Sequence, residues 1–213
     1  MSEAPGIIRA ADGWTYVLTP DDLLWLARSA AYEGGDVAST YWTYASRLVA
    51  RGRNGTMAQL VRAHSTPVNP RWASRDAPGC IEHPEMCDDD ALATRAEARS
   101  RTWESLPTRT KALEWAAGRI PNPVSRATDF ARDDVSASFL RRYPEARLVG
   151  RSGRQWYLAE GRDSSPRASV DWPRDYVTVS GTGDAGVAWL GPVVGIGTAL
   201  VIGGIVVGIA SSR

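Results

Sequence analysis

From Val187 to Ala210 the chain reads VAWLGPVVGIGTALVIGGIVVGIA, 24 residues without a charged side chain. No other feature limits the possible folds as much, because an apolar run of this length has to be withdrawn from water as a unit. As a helix it rises about 36 Å, enough to cross a hydrocarbon core of about 30 Å with some tilt. A buried core helix is the alternative, but core helices are rarely so uniformly apolar for so long. The run therefore predicts one membrane-spanning helix at 187–210, tethering a soluble domain. Gly191 and Gly195, then Gly204 and Gly208, have the small-xxx-small spacing that lets helices approach closely. That spacing points to self-association or packing against partner proteins. Pro192 sits near the N-terminal end, where it does least harm.

Upstream, local signals divide the chain into helices. Thr19-Pro20-Asp21-Asp22 is a helix start: a capping hydroxyl, a proline in the first turn, and acids at the positive helix end. The helix it opens carries Leu23, Leu24, Ala27, Ala30 and Ala31 on one face and stops at Gly34-Gly35, leaving Glu33 at its C-terminal edge. A second helix spans Val37 to Arg51. Thr56-Met57-Ala58-Gln59 is a capping box for a third. Further helices are predicted over Asp89 to Leu106, over Arg109 to Ala117 with Gly118 as its stop, and over Asp133 to Arg142. Pro121 to Arg132 reads as irregular. Ala146 to Val149 and Gln155 to Leu158, separated by a Gly-Arg-Ser-Gly turn, predict a small hairpin. Gly161 to Gly186, rich in Gly, Pro, Ser and Asp, reads as a linker. The expected fold class is thus mainly α: one helical domain over 1–160 with a small β-hairpin, a linker at 161–186, and the membrane helix.

Composition narrows the function. Twenty-five basic against 24 acidic side chains leave a formal net charge of +1, so no electrostatic footprint for nucleic acid exists. Nine tryptophans fit both a large core and sugar-stacking surfaces. The N-terminal stretch has neither a basic n-region nor an apolar h-region and does not read as a signal peptide.

Glu33 is the residue with the clearest chemical possibility. A glutamate at the end of an apolar helix can be partly withdrawn from water, which favours its neutral form and equips it as a general acid near neutral pH. The bland reading is a solvated glutamate beside glycines. The order AAYEGG, LVRAHSTPVNPRW, AAGRIPNPVSRATDFA and LVGRSGRQWYLAE, covering roughly Asp21 to Glu160, resembles the cell-wall hydrolase family of spore-cortex-lytic type. The resemblance implies a lysozyme-like helical domain that cleaves peptidoglycan glycan strands, with Glu33 as the catalytic acid–base. It also implies a cleft in which Ser65, Thr66, Thr128, Asp129 and Tyr157 bind and position sugar. Two positions depart from the family: Asp129 replaces its usual histidine and Thr66 its usual glutamine.

Glycoside cleavage normally uses two carboxylates. Asp36 lies close to Glu33 in sequence, and Asp129 lies in a matched motif. If neither faces the scissile bond, the acetamido and 6-hydroxyl groups of the substrate complete a lytic transglycosylase reaction around one glutamate. The rival reading is a docking or structural protein that keeps the fold without the chemistry. No cofactor is called for. Cys80 and Cys87 flank His83, but a closed zinc site needs four ligands and this spacing matches no common zinc pattern. A loop-closing disulfide and two free thiols are the remaining alternatives. Zinc peptidases need more histidines than His64 and His83, and a cysteine peptidase needs its histidine on a later strand. Peptidoglycan as substrate, a membrane span and no leader together predict carriage by a virion or phage-like injection device, with a tail-anchored cellular enzyme as the alternative.

Overall fold

The computed structural model describes residues 6–51, 53–124, 127–132, 141, 147–152, 155–159, 177–181, 200–202 and 205–207. The chain opens with two strands, β1 (Gly6–Ala10) and β2 (Thr15–Val17), followed by three helices, α1 (Pro20–Tyr32), α2 (Val37–Arg51) and α3 (Met57–His64). A segment of short turns, including α4 (Pro78–Glu82), leads to α5 (Asp89–Ser100) and α6 (Arg109–Ala116). Strands β3 (Asp129–Arg132), β4 (Arg147–Ser152), β5 (Gln155–Ala159), β6 (Val177–Gly181), β7 (Leu200–Ile202) and β8 (Ile205–Val207) complete it.

The local start signals act as expected. Thr19 accepts from the Asp22 amide while the Asp22 carboxylate takes the Thr19 amide, and Thr56 and Gln59 repeat the exchange at α3. Asp22 does more than cap its own helix. It is fully buried, and its Oδ1 accepts the Ala58 amide at 2.8 Å while its Oδ2 accepts the Tyr16 hydroxyl at 2.9 Å. One carboxylate thus ties β2 and the starts of α1 and α3 together, with its charge at the positive end of both helices. Burial, then the neighbouring Asp22 charge, push the Tyr16 phenol up to about 12, so it remains a donor throughout the physiological range.

Helix α2 runs through the middle, touching α1, α3, α6, β3 and β6. Its apolar contacts are dominated by aromatics: Tyr41 and Trp42 lie 5.5 and 6.1 Å from Trp115 of α6, the second pair edge-on. Gly118 ends α6 with φ +74, and a Cβ there would lie 2.6 Å from the Val179 carbonyl oxygen. Only glycine fits both that backbone conformation and the close approach of β6.

Two expectations about fold class are corrected. Among the described residues, six helices stand beside two three-stranded antiparallel sheets, ordered β2-β1-β6 and β3-β5-β4, so the architecture is mixed α/β and not mainly helical. The β4/β5 hairpin falls where the sequence placed it, but β3 comes from the stretch read as irregular. β6 comes from the stretch read as linker and pairs with β1 over five positions, from Gly6↔Gly181 to Ala10↔Val177. Part of 161–186 therefore belongs to the folded body.

The second correction concerns the membrane helix. Most of 187–210 lies outside the described residues, but β7 and β8 pair antiparallel within it, and no helix among the described residues is long and apolar enough to cross a membrane. The physical reason is legible in Leu200-Val201-Ile202-Gly203-Gly204-Ile205-Val206-Val207: branched side chains favour strands, and a Gly-Gly pair suits a two-residue hairpin connection. Without the span, the membrane partner and anchored location lose their support. The helix expected at 133–142 lies almost wholly outside the described residues.

Cys80 and Cys87 are joined, with Cα atoms 5.6 Å apart and both residues buried. The buried Arg95 donates to Cys87 Sγ at 3.3 Å and to the Met86 carbonyl at 2.7 Å, fixing the bridged loop on α5. Thiol titration of denatured, unreduced protein is expected to find no free thiol, and two would refute the bridge. Asp22→Ala should cost about 3 kcal/mol in urea unfolding, because it strands the Ala58 amide and removes charge-assisted bonds. A midpoint equal to that of the parent would show that Asp22 ties nothing together.

Candidate functional site

The carboxylate of Glu33 lies where two helices end and a third begins. Glu33 is the C-cap of α1, its amide still bonded to the Ser29 carbonyl at 3.0 Å. Gly34, at φ +72, turns the chain out of the helix. Asp36 then accepts from the Ser39 amide and hydroxyl at 2.7 and 2.8 Å, which makes it the cap of α2. Ser65 caps the far end of α3. Its hydroxyl donates to Glu33 Oε1 at 2.5 Å and accepts from the Ser29 hydroxyl at 2.9 Å. Both serines are fully buried while Glu33 is half-buried. The glutamate is therefore held from inside the protein by an oriented chain of hydroxyls, Ser29 to Ser65 to Glu33.

The negative end of α1, which has no basic residue in its last turn, and the hydrogen bond donated by Ser65 both act on the Glu33 carboxylate.

Strand β5 supports the turn from the other side. Tyr157, fully buried, directs its hydroxyl to the Asp36 carbonyl at 3.4 Å, and burial raises its phenol above the usual range. Gln155, also buried, packs on Gly35 so closely that a Cβ there would fall 1.6 Å from Gln155 Oε1 and 2.8 Å from the Tyr157 hydroxyl. A side chain at position 35 would force the Gln155 side chain and the Tyr157 hydroxyl to move.

The expected site residues thus divide. Glu33 and Ser65 are in direct contact. Thr66 follows Ser65, half-buried. Thr128 and Asp129 are buried at the start of β3. Arg47 of α2 donates through Nε to the Thr128 carbonyl at 2.6 Å and through a terminal nitrogen to Asp129 Oδ1 at 2.7 Å, while the Thr128 hydroxyl donates to Asp129 Oδ2 at 2.9 Å. Asp129 is therefore an internal counter-ion for a buried guanidinium, and Tyr157 an internal prop. Tyr157 is fully buried and Asp129 nearly so. Among the described residues no cluster of three or more His, Cys, Asp or Glu could hold a metal ion.

Residues that sequence reasoning passed over are Ser29, Arg47 and Gln155. Arg47 could have been found: an arginine inside the otherwise uncharged run from Val37 to Ala50 needs a buried counter-ion. Comparison with known proteins adds no identity, since no protein-family model, curated protein or solved structure matches the chain.

Removing one partner of a buried ion pair costs about 3–5 kcal/mol, whereas replacing both by apolar groups can be nearly neutral. Asp129→Ala is accordingly expected to destabilise strongly, and Arg47→Met combined with Asp129→Ala to recover much of the loss. Unfolding midpoints that add as independent effects would mean that the pair is not coupled.

Proposed function

We propose that the chain cleaves the glycan strand of peptidoglycan, with Glu33 as the single acid–base group. The observation that carries this reading is the distribution of carboxylates. Glu33 is half-buried at a helix end with one oxygen held by Ser65, whereas Asp36 is used as a helix cap and Asp129 is used by Arg47. The motif order that resembles cell-wall hydrolases supplies the substrate class. The site of action on this reading is the bacterial envelope.

With one glutamate, the substrate supplies the second nucleophile. Glu33, protonated, gives its proton to the glycosidic oxygen as the bond from that oxygen to C1 breaks. The acetamido carbonyl oxygen of the same sugar closes on C1 and carries the developing charge. The Glu33 carboxylate then removes the proton of the 6-hydroxyl as its oxygen displaces the acetamido oxygen at C1, leaving an anhydro ring and a protonated Glu33. No water is consumed. Ser65, donating to the ionised form and turning to accept from the neutral one, can follow both states. A binding protein without chemistry is the second reading, favoured by the burial of Asp129 and Tyr157.

Purified peptidoglycan incubated with the protein should release muropeptides ending in anhydro-muramic acid. Glu33→Gln keeps the shape but not the transferable proton, and should lower turnover by about 10²–10⁴-fold with folding intact. Products heavier by one water would make the enzyme a hydrolase. Binding without release by the parent protein would establish the second reading.

A further inference from the structure

Helices α1 and α3 lie side by side and point the same way. Asp22 meets Ala58 at their starts, and Ser29 and Glu33 meet Ser65 at their ends. Between these fixed points stands Trp25, partly exposed, its indole N–H donating to Asp21 at 3.1 Å. Two guanidinium groups close on its ring: Arg28 of α1 at 4.6 Å from the centre and Arg62 of α3 at 4.8 Å. Among the described residues no other aromatic ring receives two.

Neither arginine is paired with an acid. Arg28 gives Nε and one terminal nitrogen to the Arg101 carbonyl, at 2.9 and 2.6 Å, and its other terminal nitrogen has no partner among the described residues. Arg62 is exposed, and among the described residues it touches only the Trp25 ring. The neighbouring Arg101 is balanced by Glu97. One acid, Asp21, thus stands beside two cations that repel each other, and the patch keeps a net positive charge.

The patch also lies at a set distance from the candidate acid. Arg28 and Trp25 precede Glu33 on α1 by five and eight residues, which places them about 7.5 and 12 Å back along the helix. Arg62 precedes Ser65 by about one turn of α3. Arg101 makes the strip rigid: its carbonyl holds Arg28, and its side chain donates to the hydroxyl of Tyr32, next to Glu33, at 2.9 Å. In peptidoglycan each muramic acid carries on its lactyl group a peptide with free carboxylates, and three extended residues reach about 10 Å. A strand with its glycosidic bond at Glu33 brings those carboxylates to Arg28 and Arg62.

We propose that Arg28 and Arg62, laid on Trp25, form a subsite for the carboxylates of the stem peptide. The inference rests on Glu33 marking the glycan site, but its content is a recognition of charge that binding alone can read. A guanidinium stacked on an indole keeps the donors along its edge directed outward. A carboxylate arriving there accepts from those edges and relieves the repulsion between the two cations.

The test uses the full chain and two soluble fragments: a disaccharide–tripeptide with free carboxylates, and the same fragment with those carboxylates amidated. Calorimetry at low ionic strength should show the acid form binding about tenfold more tightly, a preference that shrinks as salt is added. Arg62→Gln should reduce that preference about fivefold with an unchanged thermal midpoint, since Arg62 is exposed. Arg62→Lys, which keeps the charge, should recover part of it. Arg28→Gln should reduce the preference as well, giving a second reading from the other helix. Equal affinity for the two fragments in the parent, binding of neither, or a preference that both glutamine variants leave intact would overturn the subsite even if the enzyme cleaves glycan. A preference lost in both variants of a protein that cleaves nothing would uphold the subsite and remove the catalytic reading instead.

Discussion

A helix enclosed on every side has to find partners at fixed places for most of its polar side chains, and α2 is such a helix. From Ala38 to Val49 each residue is buried, among them Ser39, Thr40, Thr43, Ser46 and Arg47. Some turn back on their own helix, as Thr43 does to the Ser39 carbonyl at 2.8 Å. Others reach outward and so dictate what surrounds them. Tyr41 reaches the Thr108 carbonyl, Trp42 reaches the Ile120 carbonyl, and Arg47 reaches Thr128 and Asp129. The start of α6, the loop after it and the edge of β3 are each placed by one of these bonds. A purely apolar helix could slide or rotate among similar packings, whereas these bonds are lost on any shift. The remainder of the body is arranged around that register.

The candidate site inherits its precision from the same helix. Glu33 is separated from the first turn of α2 by only Gly34, Gly35 and Asp36, and Asp36 is bound into that turn as its cap. Fixing α2 therefore fixes the glutamate to within a short turn, which Gln155 and Tyr157 then clamp from β5. Ser65 brings α3, whose other end is anchored by Asp22. Glu33 is thus positioned by three helices and a strand, while the residue itself is only partly buried.

What the amino-acid sequence made legible follows from how far each signal reaches. The capping boxes at Thr19 and Thr56 and the stop at Gly118 concern neighbours within four residues, and they are visible without a fold. The bond from Ala58 to Asp22 crosses 36 positions, and nothing local announces it. The pairing of β1 with β6 spans most of the chain. Ile8 and Val179 each sit in a short alternating run, but no local rule matches the two. The C-terminal run was misread because length and apolarity were weighed over side-chain shape, although its branched residues around Gly203-Gly204 carry a hairpin pattern. At the candidate site, Glu33 at the end of α1 was legible because a glutamate before a Gly-Gly stop is a local feature, whereas Ser65 was pointed to only by the resemblance and its contact with Glu33 crosses 32 positions. The contacts of Asp129 with Arg47 and of Tyr157 with Asp36 cross 82 and 121 positions, and the sequence shows neither.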